Sequence, residues 1–126
     1  MVYKKVSHIV FCFGCLILVL AACQSGPALQ ADAGEDFVVP VGERPSFDGC
    51  ASTGNIVNYK WTILEAPDTM PEDAGKIVRE IEQNCAFTLG TEMVIEEAGE
   101  WVITLEVRDA NNNTSTDTVT VQVLGE

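Results

Sequence analysis

Three stretches of the chain alternate between apolar and polar residues, and this period of two constrains the fold more than any other feature. The stretches run from Tyr59 to Ile63, from Trp101 to Arg108 and from Thr118 to Val123. Successive side chains of a β-strand point to opposite faces, so each stretch predicts a strand with one buried face. Short strands separated by turns at this spacing are typical of a β-sandwich.

Weaker signals predict further strands and leave one region with two interpretations. Residues 37–41 and 45–50 flank a Gly-Glu turn, and residues 86–89 and 93–95 also indicate strands. In residues 65–85, Thr69-x-x-Glu72 is compatible with a capping box that opens a helix through Ile81. The alternative, which we favour, is irregular structure followed by an edge strand at Lys76–Glu82. In total we expect an all-β domain of about seven to eight strands.

The first 22 residues have the three parts of a cleaved signal peptide. Lys4 and Lys5 precede an uncharged run from Ile9 to Leu20, and small residues follow it. A membrane-spanning helix needs roughly 20 apolar residues, so this shorter run predicts an export signal rather than a stable span.

Leu20-Ala21-Ala22-Cys23 resembles the lipobox of bacterial lipoproteins. In that family the cysteine thiol receives diacylglycerol and a peptidase cuts before it. The resemblance implies lipidation at Cys23, a lipidated tether at 23–31 and an exported protein anchored to the cell envelope. Gln24 resembles the residue of lipoproteins sent to the outer membrane, if the cell has two membranes. The alternative is an ordinary secretory signal that leaves Cys23 as a free thiol.

Two of the remaining cysteines, Cys50 and Cys85, lie in the part of the chain that follows the signal, whereas Cys12 and Cys15 lie inside it. An exported chain meets an oxidising compartment, so an even pair predicts a disulfide bond. Two separate buried thiols are the alternative, because sequence does not show whether the two Cβ atoms meet.

Four ordered motifs resemble those of the PKD domain, an immunoglobulin-like module. They are A-D-A-G-E-D at 31–36, F-D-G-C-A-S at 47–52, I-V-N-Y-K-W at 56–61, and A-G-E-W-V-I-T-L-E-V-R-D at 98–109. The resemblance implies an immunoglobulin-like, PKD-type β-sandwich over residues 32–124. It also implies a non-catalytic module that binds a protein or glycan, or acts as a spacer. Trp101 stands where the family has a tyrosine, whose hydroxyl pins the corner of such sandwiches.

The charge distribution argues against nucleic acid as a partner. All 19 acidic residues follow the signal, whereas two of the seven basic residues lie within it. Such a surface repels the phosphate backbone. We therefore expect a membrane contact through the lipid and an unidentified protein or glycan partner.

Catalytic residue types are scarce after the signal. The only histidine is His8, which excludes Ser-His-Asp and Cys-His catalysis in the mature chain. We predict that the protein is not an enzyme. The alternative is a small carboxylate-dependent hydrolase that uses the acidic cluster Glu92, Glu96, Glu97 and Glu100.

A calcium-dependent adhesion module is a further alternative. Asp32, Asp36 and Asp109 are candidate oxygen ligands for calcium, although Asp residues also build turns. Some PKD relatives bind calcium near aspartates that follow the family's tryptophan, but Trp61 is followed by T-I-L-E-A-P. We therefore expect no cofactor other than the lipid on Cys23. Loops commonly carry binding residues, and the predicted partner-binding positions are Ser52, Asn55, Asn111, Asn112 and Asn113.

Overall fold

A computed structural model describes residues 27–89 and 97–125. The predicted signal, Cys23, the predicted strand at 93–95, and Glu92 and Glu96 lie outside the described residues. Within the described ranges, no helix has the length and apolar character needed to cross a membrane.

The described part of the chain is all-β, which confirms the predicted fold class. Its seven strands form in chain order: β1 (Phe37–Pro40), β2 (Ser46–Asp48), β3 (Ile56–Glu65), β4 (Ile77–Glu82), β5 (Ala86–Thr88), β6 (Gly99–Asp109) and β7 (Thr114–Leu124).

The edge-strand interpretation of residues 76–82 is confirmed, and the helical alternative is wrong. Only a short 3-10 turn forms, at Pro71–Asp73, without a side-chain cap. The Thr69 hydroxyl, needed for a capping box, instead hydrogen-bonds the Glu97 carboxylate at 3.0 Å. Gly75 then adopts a φ of +90°, a conformation that favours glycine and ends the turn before β4.

The strands form two sheets that enclose one core. The larger sheet has the order β1-β7-β6-β3-β4, and the smaller sheet pairs β2 with β5. β1 runs parallel to β7, whereas the other pairs are antiparallel. The predicted alternation of β6 and β7 places one face of each strand in the core, with these residues buried: Trp101, Ile103, Leu105, Val107, Val119, Val121 and Val123.

An aromatic cluster joins the two sheets. The Phe47 ring on β2 lies 5.4 Å from the Trp61 ring on β3 and 5.8 Å from the Phe37 ring, measured between centroids. Gly49 lets the backbone after β2 approach the larger sheet closely, because a Cβ atom at Gly49 would lie only 2.8 Å from Leu105 Cδ2 and 3.2 Å from Trp61 Cζ2.

The segment before β1 links both sheets. Gln30 forms a bridge with Thr53 beside the smaller sheet, and the segment then follows β7 in parallel. Side chains replace the backbone ladder here: Ser115 Oγ accepts the Ala31 N–H at 3.0 Å, and Asp117 Oδ2 accepts the Ala33 N–H at 2.8 Å. Further along, Asp36 Oδ1 accepts the Thr120 N–H at 2.8 Å. Each of these pairs, like Phe37 and Val121 in the sheet, is 84 residues apart.

The described chain enters and leaves the domain at opposite ends of the larger sheet. The entry end comprises Gln30, the loop at 50–55 and the β6–β7 turn at 109–114. The exit end comprises Leu124, the turn at 41–43 and the loop at 66–75, which packs against Gly99 through Pro67. β7 runs between them, and 11 residues at roughly 3.3 Å each span about 35 Å.

Candidate functional site

The predicted disulfide between Cys50 and Cys85 is present, with Cα atoms 4.9 Å apart. It lies at the entry end, where Cys50 follows β2 and Cys85 precedes β5. The Gly49 N–H also donates to the Cys85 carbonyl at 2.8 Å, so this bridge closes the ladder of the smaller sheet. The disulfide bond therefore fixes the loop at 50–55 to the start of β5.

Trp101 makes, through its indole N–H, a hydrogen bond like the one that a tyrosine hydroxyl makes at the corner of related sandwiches. Its indole Nε1–H donates to the Glu97 carbonyl oxygen at 3.1 Å, four residues upstream. The ring is buried at 4% exposure. The corner before β6 is therefore held by a side-chain hydrogen bond although the tyrosine hydroxyl of the family is missing.

The candidate calcium ligands belong to separate hydrogen-bond sets. Asp32 Oδ1 accepts the Gly34 N–H at 2.9 Å, whereas Asp36 bonds β7 through Thr120. Asp109 Oδ1 accepts the N–H groups of Asn111 and Asn113, at 2.9 Å each. The three carboxylates do not form one ligand group in the described residues. The one potential group found there is Asp48 with Cys50 and Cys85, whose sulfurs are bonded to each other.

Asp109 organises the β6–β7 turn. Besides its two backbone bonds, its Oδ2 accepts the Asn113 Nδ2–H at 3.0 Å. The side-chain hydrogen bond from Asn113, helped by the backbone N–H groups of Asn113 and Asn111, lowers the pKa of Asp109 from its ordinary value. The carboxylate thus fixes the shape of the asparagine-rich turn.

All the predicted partner-binding loop positions lie at the entry end. Ser52 Oγ accepts the Asp32 N–H at 2.8 Å, so this side chain is engaged within the domain. Asn112 has a φ of +66° and accepts a bond from Arg108 at 3.1 Å. Asn55 and the three asparagines at 111–113 are exposed. The sequence did not indicate that these loops flank the point where the tether enters, because that depends on the topology.

The described members of the acidic cluster are separated by their contacts. Glu97 is half-buried and accepts the Thr69 hydroxyl, whereas Glu100 is exposed and lies opposite Gln122 on β7. Glu97 is therefore engaged with the loop at 66–75, whereas Glu100 faces solvent beside β7.

The aromatic residues serve the core, as the sequence predicts. Trp61 and Phe47 are 0% and 2% exposed, and Phe37, Tyr59 and Phe87 are half-buried. In the described ranges no aromatic ring is fully exposed, whereas sugar-binding surfaces commonly present such rings for stacking.

The sheet order, the parallel β1–β7 pair and the buried β3 tryptophan define an immunoglobulin-like β-sandwich. Residues 33–123 match the family model described as "K319L-like, PKD domain", so the chain belongs to this PKD family. No curated protein matches the chain significantly.

Two solved structures have the same fold. The solution structure of the PKD domain from the KIAA 1837 protein is 26% identical, with a TM-score of 0.55, and the match covers 82% of this chain and 93% of that one. The Clostridium thermocellum CbhA fibronectin(III)-like modules are 13% identical, with a TM-score of 0.52, covering 78% of this chain and 98% of that one. PKD and fibronectin III-like domains are typically non-catalytic modules, and this fold fits a binding or spacer domain.

Proposed function

We propose that the protein is a lipoprotein of the cell envelope, anchored through diacylglycerol on Cys23, whose PKD domain is a spacer that presents a protein-binding surface. The placement of chain entry and exit at opposite ends of the larger sheet carries the spacer role. If its N-terminal end is anchored to a membrane, a domain arranged in this way places its exit end a full domain length away from the anchor.

The tether and the domain together set the reach. The eight residues from Gln24 to Ala31 span at most about 28 Å when fully extended. The domain then adds about 35 Å along β7. A partner at the exit end would therefore lie well beyond the reach of the tether alone.

The same geometry gives the loops at the entry end a different role from the one the sequence suggests. With the lipid on Cys23, Asn55 and the turn at 109–114 face the bilayer rather than the surroundings. The surfaces offered to a partner are then the exit end and the sides of the sandwich.

A protein is a better partner than a glycan for these surfaces. The aromatic rings are buried or half-buried in the core, so sugar stacking has no exposed platform in the described ranges. The acidic surface, with 19 Asp and Glu against 7 Lys and Arg over the chain, favours a basic partner.

The anchor is tested by feeding an alkyne fatty acid to the native host and measuring the mass of the recovered protein. We expect label on a chain that begins at Cys23, and no label on the Cys23→Ser variant. A recovered chain with an unmodified Cys23 would disprove the anchor.

The spacer role is tested by energy transfer from a dye on the domain to an acceptor in the membrane. The dye is placed at the entry end in Asn112→Cys or at the exit end in Glu43→Cys, on lipidated protein in vesicles. We expect much stronger transfer from Asn112→Cys. Equal transfer from the two positions would show that the domain lies flat and is not a spacer.

A further inference from the structure

Strand β4 forms an open edge of the larger sheet. It pairs with β3 on one side, and within residues 27–89 and 97–125 no strand pairs with its other side. The edge formed by β1 is shorter, with four residues against the six of β4, and it ends at Pro40, which has no backbone N–H to donate. An unpaired edge presents N–H and C=O groups to which an extended chain can add as a further strand.

The outer face of this edge is apolar at one end and acidic at the other. Ile77 is 54% exposed, and Glu80 and Glu82 are also exposed. They lie opposite Thr62, Lys60 and Asn58 of β3, respectively.

The two glutamates have no ion-pair partner in the described residues. Lys60, the cation nearest in register, forms its ion pair with Glu106 of β6 at 3.7 Å. Glu80 instead receives a long hydrogen bond of 3.4 Å from Asn58. The one basic residue of β4, Arg79, lies over the Phe87 ring at 5.5 Å, on the inner face.

A second copy of the chain is a poor occupant of this edge. Two β4 strands that pair about a two-fold axis at the strand centre place Glu80 opposite Glu80, or Arg79 opposite Arg79. Like charges directly opposite each other destabilise an antiparallel pair. The edge therefore favours a chain of opposite charge.

We propose that β4 binds an extended segment of another protein that adds to the sheet as an antiparallel strand. The segment carries Lys or Arg opposite Glu82 and Glu80, at alternate positions, and an apolar residue two positions further along, beside Ile77, as Thr62 lies two positions beyond Lys60 on β3. This proposal specifies the partner of the binding role proposed above and does not depend on the lipid anchor.

The test uses the full chain in detergent solution and three labelled peptides. The probe is T-K-T-K-T-V-T-T, the charge control replaces both lysines with glutamate, and the pairing control T-K-P-K-T-P-V-T keeps the charge but cannot form a ladder. We expect saturable binding of the probe alone, with slowed amide exchange confined to residues 77–82.

Variants of the protein separate the two acidic positions from general charge. Each opposite-charge cross-strand pair strengthens binding by about 1.5- to 5-fold, so Glu80→Gln with Glu82→Gln should weaken binding by roughly 2- to 25-fold. The matched control, Glu43→Gln with Glu100→Gln, removes two exposed charges elsewhere and should change affinity less than twofold. Glu80→Lys with Glu82→Lys should favour the glutamate peptide.

Three results would overturn the proposal. The first is equal binding of the proline peptide, which would indicate charge attraction without strand addition. The second is a failure of the probe to bind, or binding that slows amide exchange outside β4 instead of within it. The third is a concentration-dependent dimer that protects β4 without peptide. Since lipidation of Cys23 is measured separately, failure here is distinguishable from failure of the anchor.

Discussion

Trp101 Nε1 and the carbonyl oxygen of Glu97 are joined by a hydrogen bond of 3.1 Å that closes the corner leading into β6. The indole is buried, so its N–H needs a partner, and the carbonyl four residues upstream provides one. A tryptophan thus replaces the family's tyrosine without loss of the corner contact.

Removal of this donor should weaken the domain. Trp101→Phe keeps an aromatic ring but loses the N–H and some buried volume, and we expect a loss of about 1–3 kcal/mol in the free energy of unfolding. Trp101→Tyr should cost less, because a hydroxyl at this position can reach the corner backbone as in the family. Urea denaturation of the two variants measures the difference, and equal losses would mean that the hydrogen bond is not important.

The disulfide should contribute more than any single hydrogen bond. Cys50 and Cys85 are 35 residues apart, and closing a loop of this length stabilises by roughly 3–4 kcal/mol in the chain-entropy model. We expect the Cys50→Ala, Cys85→Ala double variant to unfold at correspondingly lower denaturant concentration. Reductant should lower the wild-type midpoint to that of the double variant and leave the variant unchanged; a wild-type midpoint that reductant does not move would contradict the prediction.

The parts of the fold that could be predicted are those in which the structure of a segment follows from its own residues. Alternation in 101–107 and 119–123 specifies which face of each strand is buried, because side-chain direction follows from strand geometry alone. Residues 65–85 were ambiguous because their structure depends on a contact with a residue distant in sequence. The Thr69 hydroxyl has two possible partners, and the one it binds, Glu97, is distant in sequence.

The arrangement of the N-terminal segment depends on contacts 84 residues apart, which no local pattern specifies. One clue was present: Ser115 and Asp117 are polar but stand in phase with the buried Val119 and Val121. Polar residues in the buried phase of a strand indicate that backbone, rather than side chains, covers them. The location of the candidate loops at the entry end follows from this same segment.

Acid should loosen the β6–β7 turn. The pKa of Asp109 is lowered, so its contribution to stability is present above the unfolded-state value of about 3.9 and is lost as pH falls through the lower folded-state value. Asp109→Asn should therefore be less stable than wild type at pH 7, with the difference shrinking below about pH 4. Denaturant midpoints of both proteins from pH 7 to pH 2.5 provide the measurement, and a constant difference would contradict the prediction.

The N-terminal segment should detach locally when its side-chain acceptors are removed. Asp117 accepts the Ala33 N–H at 2.8 Å, and a hydrogen bond to a charged group contributes about 1.5–3 kcal/mol. In Asp117→Ala we expect amide exchange at Ala33 to accelerate at least tenfold, since each 1.4 kcal/mol corresponds to a factor of ten. Exchange at Trp61, in the middle of β3, should change much less, because β3 remains paired with both β4 and β6. Equal acceleration at both amides would show that the bond supports the whole domain rather than fastening the segment that connects it to its tether.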